Sequence, residues 1–170
     1  MKSQTDPELI LKIENLSITF DKGQHMALDH VDFEIFAGQT LGLVGESGSG
    51  KSLSSLAILG LLPKSAQVVS GSIHFGQSSD AIDLLKMSPE KIRLQRGKHI
   101  SMIFQEPMTS LNPSLTCGYQ VEEMIRQHSN GTINAKERVL ELFTEVKLPA
   151  PNRFTKLILT RSPEDKNNGS

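Results

Sequence analysis

Residues Gly45-Glu-Ser-Gly-Ser-Gly-Lys51-Ser52 have the types and spacing to hold a chain of phosphates. Four residues separate two glycines, and Lys-Ser follows directly. Glycines reach backbone conformations closed to other residues, so successive N–H groups can turn inward as an anion nest. A helix starting at the end of such a loop adds free N–H groups and the positive end of its dipole. Lys51 can then reach the β and γ phosphates, and the Ser52 hydroxyl can ligate Mg²⁺. The plainer reading is a glycine-rich strand-to-helix turn with a chance lysine. The flanks favour the phosphate reading, because a short apolar run precedes the loop and a helix-forming run follows it.

The elements that must position this loop can be read on either side of it. Residues 40–44 (Thr-Leu-Gly-Leu-Val) are an apolar run of the kind that forms a strand buried on both faces. Residues 51–62 are apolar with good helix formers and stop at Pro63. Upstream, residues 10–20 alternate loosely and read as a strand pair or one long strand, a turn follows at 21–24, and residues 31–36 alternate strictly, which predicts a half-buried strand. Residues 71–75 and 99–104 predict two more strands. Ser88-Pro89-Glu90 opens a helix with Ser88 as N-cap and Pro89 in its first position. Residues 119–128 and 134–147 predict two amphipathic helices. Residues 152–170 show no periodic apolar face, and their composition predicts an irregular tail.

Composition narrows the function. In 170 residues, 18 basic side chains face 19 acidic ones, for a net charge of −1. A nucleic-acid binder draws its affinity from uncompensated Lys and Arg, so this balance predicts no nucleic-acid partner. The single cysteine, Cys117, allows no internal disulfide and fits a reducing compartment. The best apolar run, residues 56–62, is far short of the ~20 residues of a membrane span, and the polar N-terminus carries no signal-peptide core. The chain is therefore expected to be soluble and intracellular, reaching a membrane only through a partner. The five histidines show no metal-ligand spacing, and Asn130-Gly-Thr132 reads as a turn.

Four stretches carry a likeness to a known family: Gly42-Leu-Val-Gly-Glu-Ser-Gly-Ser-Gly-Lys-Ser52, Gly71-Ser-Ile-His-Phe75, Asp83-Leu-Leu85 and Met102-Ile-Phe-Gln-Glu-Pro-Met-Thr-Ser-Leu-Asn-Pro113. From about residue 10 to 151 the chain resembles the ATP-binding subunit of ABC transporters, and within it the dipeptide, oligopeptide and nickel importer group. The resemblance implies ATP and Mg²⁺ as cofactors. It makes Gly45, Glu46, Ser47, Gly48, Ser49, Gly50, Lys51 and Ser52 the phosphate loop. It makes Gln105 the Q-loop glutamine, which in the family contacts Mg²⁺ or the attacking water and couples the site to the membrane subunits. Ser52 and Gln105 are then the metal contacts. The family stacks adenine on an aromatic residue upstream of the loop. Phe20 is the candidate here, and an ordinary strand-end core phenylalanine is its other reading. The implied partners are transmembrane permease subunits and a second ATP-binding subunit. The implied location is the cytoplasm, peripheral on the inner face of the plasma membrane.

The chain also departs from that family. Residues 1–170 contain no L-S-G-G-Q signature, no apolar strand ending in Asp-Glu and no switch histidine. Glu141 and Glu145 lie in a predicted helix and are not substitutes. After Pro151 the family usually runs some six residues and then Y-P-H-Q-L-S-G-G-Q-x-Q-R-V-M. Allowed codons for Ile158 to Ser170, preceded by one base of Leu157 and regrouped one base earlier, read Y-P-H-Q-I-S-G-G-Q-K-Q-R-V. One base per codon is free in this exercise, but two are fixed, and Glu164-Asp165-Lys166 supply G-G-Q. The expectation is a single-base slip between about residues 151 and 157 in a parent ATPase gene. A natural short relative with an unrelated tail is the alternative.

The expected fold is α/β: a P-loop nucleotide-binding core with a mixed sheet, a flanking antiparallel β portion and an incomplete helical subdomain. Residues 1–104 would form the N-terminal part of the core, 105–151 the Q-loop and the start of the helical subdomain, and 152–170 the aberrant tail. The expected parent function is ATP hydrolysis coupled to peptide or nickel uptake, with this chain inactive alone. Two rivals stand beside it: a non-catalytic or unstable nucleotide-binding fragment, and a P-loop ATPase outside transport such as a DNA-repair relative. The wording of residues 105–113 speaks against the last.

Overall fold

The computed structural model describes residues 7–77, 80–104, 111–129, 131 and 133–158. It forms two compact units that divide after Ser101. The first holds a four-stranded sheet in the order β2-β1-β3-β4, built from β1 (Leu9–Phe20), β2 (His25–Phe36), β3 (Ala66–Phe75) and β4 (Ile82–Asp83). Every pairing is antiparallel. Two helices belong to this unit, α1 (Lys51–Ile58) and α2 (Pro89–Gln95). Leu11, Ile13, Leu16, Ile18, Leu28 and Ile73 of the sheet bury themselves with Ala57 of α1, Ile92 of α2 and Leu84 of the short 3-10 turn after β4 (Leu84–Lys86). Each fully buried Ile or Leu contributes roughly 1.5–3 kcal/mol relative to exposure.

The loose alternation of β1 has a structural cause. Asn15, at φ +49°, is an extra residue. Ile13 pairs with Phe33 and Leu16 with Val31, so three steps on β1 match two on β2. The same slip occurs against β3, where Glu14 pairs with Ser72 and Ser17 with Ser70. This β-bulge resets the phase, so that Leu11 and Ile13 before it and Leu16 and Ile18 after it are all buried. Asp32 Oδ1 accepts from the Asn15 N–H at 2.8 Å, and the Ser70 hydroxyl donates to the Asn15 carbonyl at 3.1 Å. Gly71 lies opposite at φ +98°, and a Cβ there would stand 2.6 Å from the carbonyl oxygens of Glu14 and Asn15.

Two expected strands are not formed. Residues 40–44 join no ladder, and Val44 is 97% exposed. Of residues 99–104, only Ile100 pairs, in a single parallel bridge with Arg96, and Ile103 is 92% exposed. A strand is defined by a neighbour that takes up its N–H and C=O groups, and among the described residues no strand lies beside either run. The sheet here is therefore antiparallel rather than mixed.

The first unit's helices follow their caps. The Ser88 hydroxyl accepts from the Lys91 N–H, and Pro89 occupies the first position of α2, as the sequence predicts. Helix α1 ends earlier than Pro63 suggests. The Gly60 N–H donates to Ala57 O at 3.0 Å and the Leu61 N–H to Leu56 O at 2.8 Å, with Gly60 at φ +61°. That pair of bonds is a Schellman closure, so the glycine stops the helix before the proline can.

The second unit contains α3 (Cys117–His128), α4 (Ala135–Glu145) and the short α5 (Pro151–Phe154). Thr116 caps α3 by accepting from the Tyr119 N–H. Ala135, Val139 and Phe143 of α4 are buried. Residues 152–158 are more ordered than their composition predicts. Pro151 sets the first turn of α5, the Cys117 N–H donates to Leu157 O at 2.9 Å, and Ile158 bridges to Thr116. The rest of the expected tail lies outside the described residues. No helix among them is long and apolar enough to cross a membrane.

Two measurements test this account. Gly71→Ala should cost roughly 1–3 kcal/mol, because it adds both strain and a backbone clash. A thermal melt within a degree of the parent would contradict the bulge packing. Asp83 gives the pH test. Burial pushes its carboxyl up, but the Lys86 ammonium and the N–H groups of Ile73 and Leu85 outweigh this and hold it below its ordinary value. A depressed pKa stabilises the fold above the unfolded value of about 4, and that contribution is lost as pH falls through the folded value. The melting temperature should therefore fall below about pH 4, and Asp83→Asn should melt lower at neutral pH and lose less on acidification. Parallel pH profiles for the two chains would overturn it.

Candidate functional site

Helix α1 starts at Lys51 because Gly50 breaks the backbone before it. Gly50 is the N-cap residue at φ +87°, and no side chain caps the first turn. The first N–H groups of an α-helix have no partner within the helix, so this open start leaves donors for an anion. The first turn carries no acidic residue to compete. Lys51 is half-buried and Ser52 exposed. Ser54 is buried one turn on, and its hydroxyl donates to the Gly50 carbonyl at 3.2 Å.

Gly48 at φ +85° and Gly50 at φ +87° flank Ser49, which is not in that region. Alternation of this kind turns successive N–H groups to one side and makes an anion concavity. The Ser49 N–H closes a turn onto Glu46 O at 3.3 Å. The Lys51 ammonium reaches back across the loop. It donates to the Gly45 carbonyl at 2.7 Å, the Glu46 carbonyl at 2.5 Å and the Ser49 hydroxyl at 3.1 Å. A Cβ on Gly45 would sit 2.8 Å from Ser49 Oγ. The glycine positions and the lysine thus fit one another as a single closed loop.

Two supports hold the loop and its helix, and sequence reasoning missed both. The first is β2. A Cβ on Gly50 would run into the Leu28 side chain and stand 3.0 Å from the Ala27 carbonyl oxygen. Strand β2 starts six residues earlier than the strict alternation of 31–36 indicates. His30, at φ +47°, breaks the alternation that would have revealed residues 25–30 as strand. The second is Arg96. Its guanidinium donates to Leu59 O at 2.7 Å and Gly60 O at 2.9 Å, where α1 has no basic residue of its own. A cation at a helix C-terminus offsets the dipole and satisfies its last carbonyls. No sequence pattern links position 96 to position 59.

Phe20 is half-buried at the end of β1 and pairs with His25 and Ala66. Two residues along β2 from His25, the Ala27 carbonyl lies against Gly50. Phe20 therefore belongs to the end of the sheet that meets the loop. Gln105 lies outside the described residues. Glu141 and Glu145 both accept from Arg138, at 2.8 and 2.9 Å, on the surface of α4.

Comparison with known proteins gives one family. The ABC transporter family matches residues 28–163. The dipeptide transport ATP-binding protein of Haemophilus influenzae is 42% identical over 145 residues, covering 84% of this chain and 43% of that protein. The peptidoglycan transport ATP-binding protein of Agrobacterium fabrum is 41% identical over 157 residues, covering 90% and 28%. The glutathione import ATP-binding protein of Escherichia coli is 38% identical over 167 residues, covering 94% and 26%. The chain spans less than half the length of these curated relatives.

The Arg96 clamp makes a direct prediction. Arg96→Ala should lower stability by about 1–2 kcal/mol, and Arg96→Lys should restore only part of it, because an ammonium cannot fork across two carbonyls. Urea unfolding reads this as a shift in midpoint. An unchanged midpoint in both variants would show that the clamp contributes nothing.

Proposed function

Because this chain belongs to the ABC transporter family, we propose that residues 45–52 bind the phosphates of Mg-ATP and that the chain is the ATP-binding subunit of an importer. The observation that carries this is the closed loop itself: Gly48 and Gly50 in left-handed conformations, an uncapped α1 start, and Lys51 drawn across the loop. The glycine cradle, with no room for a Cβ at Gly45 or Gly50, fits a ligand held by backbone N–H groups. Gly45, Glu46, Ser47, Gly48, Ser49 and Gly50 form the cradle, Lys51 meets the β and γ phosphates, and Ser52 and Gln105 are the residues that would hold Mg²⁺. The metal, when bound, neutralises charge on the phosphate oxygens. Phe20 stacks on the adenine. The names of the relatives support a peptide as cargo, and nickel is the other cargo of the group this sequence resembles. Permease subunits and a second ATP-binding subunit are the proposed partners, at the cytoplasmic face of the membrane.

In this reading residues 1–104 are the N-terminal part of the nucleotide core, 105–151 the Q-loop and the start of the helical subdomain, and 152–170 an out-of-frame tail. A second reading, a nucleotide-binding chain that does no transport, has its own support. Hydrolysis needs a group that orients or deprotonates the attacking water. In the sequence of residues 1–170 no apolar run ends in Asp-Glu, and the helical Glu141 and Glu145 are both engaged by Arg138. Lys51 and Ser52 bind and position phosphate, and neither takes a proton from water.

The test pairs equilibrium binding with phosphate release for the chain and its Lys51→Ala variant. Mg-ATP should bind the parent chain and bind Lys51→Ala at least about tenfold more weakly, since a charge-assisted contact is lost. Phosphate release should stay at background in both. Equal binding by both chains would remove the nucleotide reading. Turnover by the parent that Lys51→Ala abolishes would instead mean that another carboxylate serves as base.

A further inference from the structure

Resting on the nucleotide reading of the loop, we propose that the Ser49 hydroxyl is a placeholder for a phosphate oxygen, and so sets how readily the loop admits its ligand. An ammonium has three N–H donors, and Lys51 directs all three inside its own loop. Its acceptors are not equivalent. The Gly45 and Glu46 carbonyls are backbone, at 2.7 and 2.5 Å, and move only if the loop opens. Ser49 Oγ is the most distant, at 3.1 Å, and hangs on a single rotatable bond. The residue is exposed, so the hydroxyl can turn to water when released.

An arriving phosphate oxygen needs one of those three donors. A phosphate oxygen carries a formal negative charge where a hydroxyl oxygen carries only a partial one, so the ammonium favours phosphate and the exchange runs toward it. The donor given up is the one aimed at Ser49, because the two carbonyl contacts can persist while the ligand binds. Ser49 therefore keeps the ammonium across the loop mouth when no anion is present and yields its place when one arrives. The bond it makes belongs to the empty state, and removing it weakens that state alone.

The kinetic consequence separates this role from a direct contact. Ser49→Ala should bind a fluorescent ATP analogue about two- to tenfold more tightly, the size of one net hydrogen bond. The gain should lie in the association rate, with dissociation little changed. Tripolyphosphate competing for the loop should show the same gain, because the exchange occurs at the phosphates. Stopped-flow mixing of the full chain with the analogue measures both rates. If Ser49→Ala dissociates faster and binds more weakly, Ser49 contacts the bound phosphate and the placeholder role is wrong. Unchanged rates would equally overturn it. If no chain binds saturably, Ser49→Ala included, the nucleotide reading fails and the placeholder falls with it. Loss of binding in Lys51→Ala, together with unchanged Ser49→Ala, would overturn the placeholder alone.

Discussion

The site depends on the close approach between Gly50 and strand β2. The backbone of Ala27 and the side chain of Leu28 pass where a side chain on residue 50 would stand. That contact ties the loop of residues 45–50 to the antiparallel sheet, because Leu28 is buried in the sheet's core beside Ile18, its partner on β1. It also fixes Gly50 in a left-handed conformation, which turns the chain from loop to helix within one residue. The open helix start, the nest and the inward lysine all follow from that turn. The bulge at Asn15 serves the same arrangement from further back, since without it the residues after it on β1 would face the wrong side.

The helix α1 is held at both ends by charges that come from different places. Lys51 lies at its start but looks backward into the loop, and Arg96 reaches its last carbonyls from 36 or more residues downstream. An eight-residue helix is too short to be stable by propensity alone. Its burial through Ala57, its Schellman end at Gly60 and the Arg96 clamp supply what the length does not. Arg96 also pairs with Ile100, at the root of the segment that leads to Gln105. The end of α1 and Ile100 thus share Arg96 as a partner.

The local signals were legible in the sequence. The glycine–lysine spacing located the loop and its helix, and Ser88-Pro89 located α2. The glycine that stops α1, Gly60, was present in the sequence too, but Pro63 was the louder signal. What could not be read was anything that depends on a partner far along the chain. Residues 40–44 and 101–104 have the composition of buried strands, yet composition states a preference and only a neighbouring edge satisfies it. His30 hid the first half of β2 because a left-handed residue inside a strand breaks the period that sequence patterns rely on. The order in residues 152–158 comes from backbone bonds to Thr116 and Cys117, which leave no mark on side-chain pattern.

The charge balance makes the local geometry matter more. With a net charge of −1, the chain as a whole does not attract a triphosphate. If residues 45–52 hold phosphate as proposed, selection must come from groups placed within a few ångströms of it. The helix start offers uncapped N–H groups, the glycines orient more of them, and Lys51 adds the one full positive charge. That charge is screened in the empty loop by two carbonyls and a hydroxyl, each a partial negative charge. On the proposed reading, a phosphate oxygen that entered the loop would take one of the ammonium's donors, and its contact with the ammonium would be stronger than any the unit charge makes at longer range. Specificity of the proposed kind would arise from exchange at the site rather than from long-range attraction, since the net charge of −1 supplies none.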